Sequence, residues 1–374
     1  MILKYCLNTV NGELSTVNDL NFLKNILGGF SQQSMLFEVT SRCNLKCVHC
    51  YNVWKDGVSY PEKELDTESA KKLILKVIRE SRCEHFTFTG GEPLLRNDIE
   101  SLVAVVRTKC RRINVITNGT LLPEGRIKSL IDAGVSLFEL PLNSADRNIH
   151  NKMAGGFDCF DKVTRAAVDI RANGGELAFV FVGTSLNIRH CRDVFELGMA
   201  LGCRSFLFNR YNAGGECHGN PETLMPSLDD VRDGLAIAEE FAGKYGIGIG
   251  ASIAIQPCLI DTSAYPHVGF GFCAAGTVRS YYTIDPVGNV RPCNHTPTIL
   301  GNILEEPLKK IVRSRKLADF MKAKPGFCKG CGIESKCLGG CKAAAEACYG
   351  SLCALDPFLE MNKEKAARPA VGTV

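Results

Sequence analysis

Three cysteines lie within one stretch of eight residues, and this cluster constrains the chain more than any other feature. Cys43, Cys47 and Cys50 are spaced C-x3-C-x2-C and directly follow the apolar run 35–39, which predicts a short strand. Three thiolates on one loop suit an iron-sulfur cluster better than a hard cation, because both partners are soft. Three protein ligands would leave one iron of a four-iron cubane open, much as catalytic zinc sites keep one open position. A zinc site completed by His49 or by a distant residue is the alternative.

The whole chain contains 19 cysteines among 374 residues. The N-terminal sequence lacks a cationic stretch followed by an apolar run, and no apolar run reaches about 18 residues. We therefore expect a cytoplasmic protein with no membrane segment, a setting in which dense cysteines bind metal more often than they form disulfides. The net charge of +4 is too mild and too evenly spread to indicate a nucleic-acid partner. The cysteines predicted to be small buried hydrophobes are Cys6, Cys83, Cys110, Cys159, Cys191, Cys203 and Cys217.

From residue 35 to about 255, short β-rich runs alternate with segments of helical periodicity. Strands are predicted at 35–39, 85–90, 113–119, 135–142, 177–184 and 205–209. Helices are predicted from Asp66 or Thr67 onward and at 99–106, 124–133, 160–171, 190–201 and 228–245. Strict alternation at this spacing indicates parallel strands joined by helical crossovers, in either a barrel or a doubly wound sheet. In both folds the chemistry belongs at the carboxyl ends of the strands.

The loop after the second predicted strand reads Gly90-Gly91-Glu92-Pro93. Glycines let the backbone approach a ligand closely, and Glu92 would either accept hydrogen bonds from a cation or brace the loop. In isolation such a segment would be read as a turn. Asn118-Gly119 and Asn143-Ser144 follow the next two strands, and we expect all these loops to converge on the cysteines.

The cysteine spacing and the Gly90 to Pro93 segment together resemble the radical S-adenosylmethionine (SAM) superfamily. The resemblance implies a partial (β/α)6 TIM-type barrel in which Cys43, Cys47 and Cys50 hold a 4Fe-4S cluster. The free iron would chelate SAM, and one electron would cleave SAM to a 5'-deoxyadenosyl radical.

The same resemblance assigns further residues to SAM. Gly90, Gly91, Glu92 and Pro93 would contact its methionine ammonium. Three other positions resemble residues that bind the ribose or the carboxylate, with a loop cap or a solvated helix charge as the alternative: Asn118, Ser144 and Arg165. His49 departs from the family, which usually has an aromatic residue before the third cysteine.

The region from about residue 269 changes character. A short strand pair is predicted within 280–293, with residues 286–289 as its turn, and a cysteine-rich tail follows. The tail cysteines are spaced Cys273-x14-Gly288-x4-Cys293 and Cys328-x2-Cys331-x5-Cys337-x3-Cys341, followed by Cys348 and Cys353. This spacing resembles the SPASM extension of radical SAM enzymes, which carries two auxiliary iron-sulfur clusters. A zinc ribbon at the four central cysteines is the alternative.

The SPASM resemblance implies two sets of ligands. The inner cluster, nearer SAM, would use Cys273, Cys293 and Cys341, and the outer cluster Cys328, Cys331 and Cys337. Many relatives close the outer cluster with a cysteine after an Asp-Pro pair, but Phe358 follows Asp356-Pro357 here. Our candidates for that ligand are Cys353 first and Cys348 second. For the fourth inner ligand, the candidates are Cys258, Cys348 and an iron left open for substrate.

Four segments are expected, namely an N-terminal segment 1–34, the barrel 35–255, a small cysteine-rich SPASM domain 256–358 and a flexible tail 359–374. The resemblance implies an oxidoreductase that modifies a ribosomally made peptide or protein by hydrogen abstraction, leading to a cross-link, an epimerisation or an oxidation. The alternatives are modification of a tetrapyrrole in the haem pathway and a non-catalytic iron-sulfur or zinc scaffold.

Expected partners are a peptide or protein substrate and an electron donor of the flavodoxin or ferredoxin type. About 34 residues precede the first strand, too few for a winged-helix leader-binding module. We therefore expect either a separate leader-binding carrier or recognition of the substrate by the SPASM surface.

Overall fold

An open eleven-stranded sheet organises the computed structural model, which describes residues 34–52, 63–215, 221–277 and 279–367. The strands are β1 Ser34–Glu38, β2 His85–Thr89, β3 Arg112–Ile116, β4 Leu137–Pro141, β5 Glu176–Gly183, β6 Ser205–Arg210, β7 Gly248–Ala251, β8 Val268–Phe270, β9 Tyr281–Ile284, β10 Asn289–Arg291 and β11 Gly301–Asn302. Strands β1 to β8 lie side by side in chain order and pair in parallel throughout. The predicted partial barrel is confirmed. Strands β7 and β8 extend it beyond six units.

Helices cross between the parallel strands, and a second group of short helices follows the sheet. Their bounds are α1 Thr67–Ser81, α2 Ile99–Arg107, α3 Glu124–Ala133, α4 Arg147–Ala154, α5 Cys159–Ala172, α6 Cys191–Ala200, α7 Leu228–Tyr245, α8 Leu308–Ile311, α9 Arg315–Lys322, α10 Glu334–Cys337, α11 Lys342–Tyr349 and α12 Pro357–Met361. The predicted cap of α1 is confirmed, since the Asp66 side chain accepts a hydrogen bond from Ser69 N. Helix α4 was missed because its eight residues are mostly polar, and it begins where Asp146 caps Asn148 N and Ile149 N.

The two faces of the parallel strands differ in character because successive side chains point to opposite faces. Phe37, Phe88 and Phe138 are buried in the apolar core that the helices cover. Glu38, which follows Phe37, and Glu139, which follows Phe138, therefore point to the opposite face of the sheet. The inner face of the partial barrel is therefore polar.

The C-terminal region joins the barrel through the sheet. Strand β9 pairs in parallel with β1, and the predicted hairpin is confirmed by the antiparallel pairing of β9 with β10. Arg291 on β10 forms a buried ion pair with Glu38 at the end of β1. The predicted boundary at 255/256 lies in the loop between β7 and β8. This hairpin therefore continues the barrel sheet.

The flexible tail predicted from residue 359 is wrong for the described part of that segment. Leu359 belongs to helix α12 and is only 1% exposed, because its side chain packs into the core. Further along, Ala367 N donates a hydrogen bond to Cys258 O at 2.8 Å. Residues 368–374 and the predicted N-terminal segment up to residue 33 lie outside the described residues. Within the described ranges, no helix combines the length and the hydrophobicity that crossing a bilayer requires.

Candidate active site

The cysteine loop, residues 40–52, crosses the carboxyl ends of several strands. Gly91 N and Glu92 N, which follow β2, donate hydrogen bonds to Thr40 O at 2.9 Å and to Arg42 O at 2.8 Å. Val48 N donates to Met153 O in α4 at 3.0 Å. The cysteine loop therefore meets the loop after β2 and helix α4, and the convergence expected from the sequence is confirmed for the loop after β2.

Two glycines allow this close contact between loops. A Cβ atom on Gly91 would lie 2.1 Å from Arg42 O, and one on Gly90 would lie 2.3 Å from Thr40 O. Gly90 also has φ +137°, a conformation that L side chains rarely adopt. The glycines were expected to let the backbone approach a ligand, and the structure shows that they let it approach the cysteine loop. The Gly90 carbonyl accepts a hydrogen bond from Asn52 Nδ2 at 3.1 Å.

Glu92 lies beneath this contact and is fully buried. Its carboxylate accepts hydrogen bonds from Thr117 Oγ1 at 2.7 Å, from Asn118 N at 2.7 Å and from Leu94 N at 3.0 Å. Burial raises the pKa of Glu92, while these donors oppose that rise. The structure therefore shows the bracing role, in which Glu92 joins the loop after β2 to the loop after β3.

The three other predicted SAM contacts have different surroundings. Asn118 Nδ2 donates to Asn44 Oδ1 of the cysteine loop at 2.8 Å. Ser144 is fully buried, and its Oγ accepts from Asp146 N at 3.0 Å, which is the loop-cap alternative. The Arg165 side chain is 79% exposed and pairs with Asp169 at 3.2 Å on α5, which is the solvated-charge alternative. The structure thus brings Asn118 to the cysteine loop and gives Ser144 and Arg165 structural contacts instead.

The three loop cysteines are partly exposed, and no disulfide joins any of the 17 cysteines in the described residues. Cys43 Sγ accepts a hydrogen bond from Leu45 N at 3.4 Å, and Cys50 N donates to Cys47 O at 3.2 Å. In the described ranges, no three His, Cys, Asp or Glu side chains are grouped closely enough to hold a single metal ion. The scattered cysteines are buried as predicted at Cys83, Cys110, Cys159, Cys191 and Cys203, whereas Cys6 and Cys217 lie outside the described residues.

One cavity of about 330 Å³ in the C-terminal region is lined by four cysteines. They are Cys258, Cys328, Cys331 and Cys337. Burial, together with the charges of the other three thiols, raises the pKa of Cys258 to about 12. This set differs from the prediction, because Cys353 is exposed and does not line the cavity, and neither does Cys348. We call this space the outer cavity.

A second cavity of about 590 Å³ is lined by three cysteines, Cys273, Cys293 and Cys341, which match the predicted inner set. Its wall also includes His295 and Lys342, and Cys258 is absent from it. Burial raises the pKa of Cys341 to about 11, and the charge of Asp356 adds to this rise. We call this space the inner cavity. Each cavity is lined by several thiols, so the residues fit iron-sulfur clusters.

Polar side chains connect the cysteine loop to the inner cavity. Tyr51, next to Cys50, accepts a hydrogen bond from Asn294 Nδ2 at 2.7 Å, and its ring centroid lies 4.0 Å from that of His295. Asn212 Nδ2 lies 3.1 Å from His295 Nδ1 and 3.5 Å from Cys341 Sγ. Burial lowers the pKa of His295 to about 4, so its imidazole is neutral at pH 7.

The sequence pattern did not predict that these connecting residues belong to the site. Two of them are adjacent to ligand candidates, since Tyr51 follows Cys50 and Asn294 follows Cys293. That adjacency was the available signal. Asn212 had no such signal, because only the fold brings the end of β6 to the inner cavity.

Known proteins share these two regions. Residues 37–198 match the model of the Radical SAM superfamily, and residues 273–332 match SPASM, an iron-sulfur cluster-binding domain. The chain is 26% identical to the PqqA peptide cyclase of Gluconobacter oxydans (strain 621H) over 336 residues, which are 88% of this chain and 90% of that protein.

Solved structures share the fold. The structure of native anSMEcpe with bound AdoMet superposes with a TM-score of 0.68 at 23% identity, covering 89% of this chain and 95% of that one. Streptococcus suis SuiB bound to precursor peptide SuiA superposes with a TM-score of 0.67 at 15% identity, covering 93% and 82%. The three proteins therefore share a common fold over most of their length.

Proposed function

This chain belongs to the radical SAM superfamily and carries a SPASM iron-sulfur domain, and on that premise we propose that it modifies a ribosomally made peptide by hydrogen abstraction. The peptide class is supported by the PqqA peptide cyclase, which matches this chain along nearly its whole length. The carrying observation in the structure is the contact between the cysteine loop and the inner cavity through Tyr51 and His295. That contact supports the proposal, because it joins the loop of the predicted radical-generating cysteines to the cavity predicted to hold the inner cluster.

We assign the SAM-binding 4Fe-4S cluster to Cys43, Cys47 and Cys50, the inner auxiliary cluster to Cys273, Cys293 and Cys341, and three ligands of the outer one to Cys328, Cys331 and Cys337. When bound, the first cluster and SAM supply reductive cleavage of SAM and a radical able to abstract hydrogen. The auxiliary clusters of this family offer a place for the electron that remains after abstraction.

The protein's own part is to hold these groups and to shape the space between them. Glu92 and Asn118 support the cysteine loop from below, so the three thiols keep a defined arrangement. The polar inner face of the barrel, with Asn114 Nδ2 donating to Glu139 Oε1 at 3.1 Å, offers hydrogen-bonding groups to a polar ligand. On this proposal, the strands and the C-terminal region would shield this space from water and oxygen.

We propose three further partners and settings. A small flavodoxin or ferredoxin would supply the electron, because no other reductant is built into the assigned sites. A separate carrier or the SPASM surface would recognise the leader part of the substrate. A reducing cytoplasm suits a protein in which the 17 described cysteines form no disulfide, since thiols oxidise more readily in other compartments.

Anaerobic reconstitution with iron and sulfide, followed by dithionite and SAM, tests the proposal. The protein should release 5'-deoxyadenosine, and the combined Cys43→Ala, Cys47→Ala and Cys50→Ala variant should release none. An unchanged yield from that variant would refute the assignment of the SAM site, and a non-catalytic scaffold would give no product in either case.

The substrate class needs a second experiment. Short peptides encoded beside the gene should show a mass change after incubation with the reconstituted enzyme and SAM, measured by mass spectrometry. SAM cleavage without any peptide change, combined with a change in an added tetrapyrrole, would replace the peptide proposal by the haem-pathway alternative.

A further inference from the structure

The outer cavity collects thiols from two distant parts of the chain. Cys328, Cys331 and Cys337 come from the tail and its helix α10, whereas Cys258 comes from the loop after barrel strand β7. All four line one cavity of about 330 Å³. Four thiols that line one cavity can supply a complete ligand set for an iron-sulfur cluster.

We infer that Cys258 is the fourth ligand of the outer auxiliary cluster, so that a barrel loop and the SPASM tail close this cluster together. The inference deepens the proposed function, because it rests on the iron-sulfur character of the SPASM region. It does not depend on SAM cleavage or on the substrate.

The other residues near the outer cavity either already have hydrogen-bonding partners or cannot act as cluster ligands. Glu334 lines it, but its carboxylate pairs with Lys324 Nζ at 2.7 Å and accepts from Gly330 N at 3.1 Å. Leu359 contributes an apolar wall and has no ligand atom. Cys353 is exposed to solvent and is not part of the lining. Cys258 is therefore the lining residue that offers a further thiolate.

The loop that carries Cys258 is held in place from several sides. Gln256 O accepts hydrogen bonds from Leu259 N at 2.9 Å and from Ile260 N at 3.1 Å. Arg232 on α7 donates to Leu259 O at 2.8 Å, and the buried side chains of Leu259 and Ile260 anchor the turn in the core. A preformed turn loses little conformational freedom when the thiol coordinates iron, which favours coordination here.

The same loop reaches the C-terminal end of the described chain. Cys258 O accepts a hydrogen bond from Ala367 N at 2.8 Å, just beyond α12. Helix α12 also contributes Leu359 to the cavity wall. The cavity is therefore lined by the loop after β7, by the cysteine-rich tail and by helix α12.

The experiment uses the full-length chain carrying Cys43→Ala, Cys47→Ala and Cys50→Ala, so that only auxiliary clusters contribute iron. In this background Cys258→Ala is compared with Cys353→Ala, which alters the exposed thiol. Anaerobic reconstitution is followed by iron and sulfide analysis and by EPR of the dithionite-reduced protein. We expect Cys258→Ala to lose about half of the remaining iron if two cubanes are present, and Cys353→Ala to lose none.

A second substitution guards against a loss of iron that comes from misfolding. Cys258→Ser keeps the size of the side chain and offers an oxygen ligand, so we expect the EPR signal of one cluster to shift or disappear while the other signal stays. Full iron content with an unchanged spectrum in both Cys258 variants would overturn the inference, as would an equal loss of iron in Cys353→Ala. No SAM or peptide is added, so failure here is distinct from failure of the proposed function.

Discussion

Arg210 and Asp356 form a fully buried ion pair, with Arg210 Nη2 lying 2.5 Å from Asp356 Oδ2. The pair joins the end of strand β6 to the residue that caps α12. The same Asp356 oxygen accepts a hydrogen bond from Cys341 N at 2.8 Å. The backbone of an inner-cavity cysteine is thus held directly by a contact between the barrel and the C-terminal region.

Replacing Asp356 with Asn should destabilise the protein by about 3–5 kcal/mol, because Arg210 would remain buried without its counter-charge. The measurement is the free energy of unfolding at pH 7, obtained from a urea titration that is monitored by circular dichroism. The matched control is Glu240→Gln, which breaks a solvent-exposed pair with Arg192 and should change the unfolding free energy far less, because water screens that pair. Equal losses in both variants would contradict the structural role given to the buried pair.

Gly91→Ala should displace the cysteine loop, since the added Cβ would lie 2.1 Å from Arg42 O. This oxygen belongs to the backbone, so it cannot move aside as the end of a flexible side chain could. We expect the variant to fold but to bind about four fewer irons per chain, the content of one cubane. Iron analysis and EPR in the presence of SAM provide the measurement.

Gly125→Ala is the control for that glycine. It lies in helix α3, where an added Cβ meets nothing within 4 Å, so it should keep its iron and gain up to about 1 kcal/mol of stability. If Gly91→Ala also kept all its iron, the cysteine loop would not depend on the close contact with Gly91.

Glu139 should make stability depend on pH. Burial raises its pKa to about 7 from an ordinary value of 4.5, so the folded protein binds the proton more tightly than the unfolded chain does. The stability contribution is therefore complete below pH 4.5 and is lost as the pH rises to about 7. At about 1.4 kcal/mol per pKa unit the loss is on the order of 3 kcal/mol.

Glu139→Gln removes this titration and should flatten the fall in unfolding free energy between pH 5 and pH 8, measured in urea. Glu124→Gln, at an exposed acid on α3, should leave that fall in place. An identical pH profile for wild type and Glu139→Gln would show that the carboxyl is not the titrating group.

Periodicity was sufficient to predict the six main strands and the crossover helices, because each buries a long and regular apolar face. Helices α3 and α7 begin and end where the pattern predicted. Strands β7 and β8 escaped detection because they have four and three residues and contain glycines in place of a β-branched run. Short strands of this kind are stabilised by their neighbours rather than by local preference.

The residues of the candidate site likewise divide into those that the sequence predicts and those that only the fold reveals. Cysteine spacing predicted a loop set and an inner set of ligands, and Cys273, Cys293 and Cys341 of the inner set line one cavity. Cys258 could not be placed from spacing, because the loop after β7 meets the tail only in the folded chain. Arg165 matched by position alone, and its exposure on α5 was not evident in the sequence.

Glu92 offers a test of which role its carboxylate has. As a brace, it accepts from Thr117 Oγ1, Asn118 N and Leu94 N, and a Gln amide at this place would point its own N–H groups toward at least one of these donors. A buried donor left without an acceptor costs about 1–3 kcal/mol. Glu92→Gln should therefore lower the unfolding free energy by that amount and weaken SAM binding at the same time, because Asn118 and the cysteine loop would shift together.

Thr117→Val removes one donor and keeps the carboxylate, so it should produce a smaller loss of both stability and SAM affinity. Urea unfolding and equilibrium binding of SAM to the reconstituted protein measure the two effects, and weakened SAM binding with unchanged stability would instead assign Glu92 to direct contact with SAM.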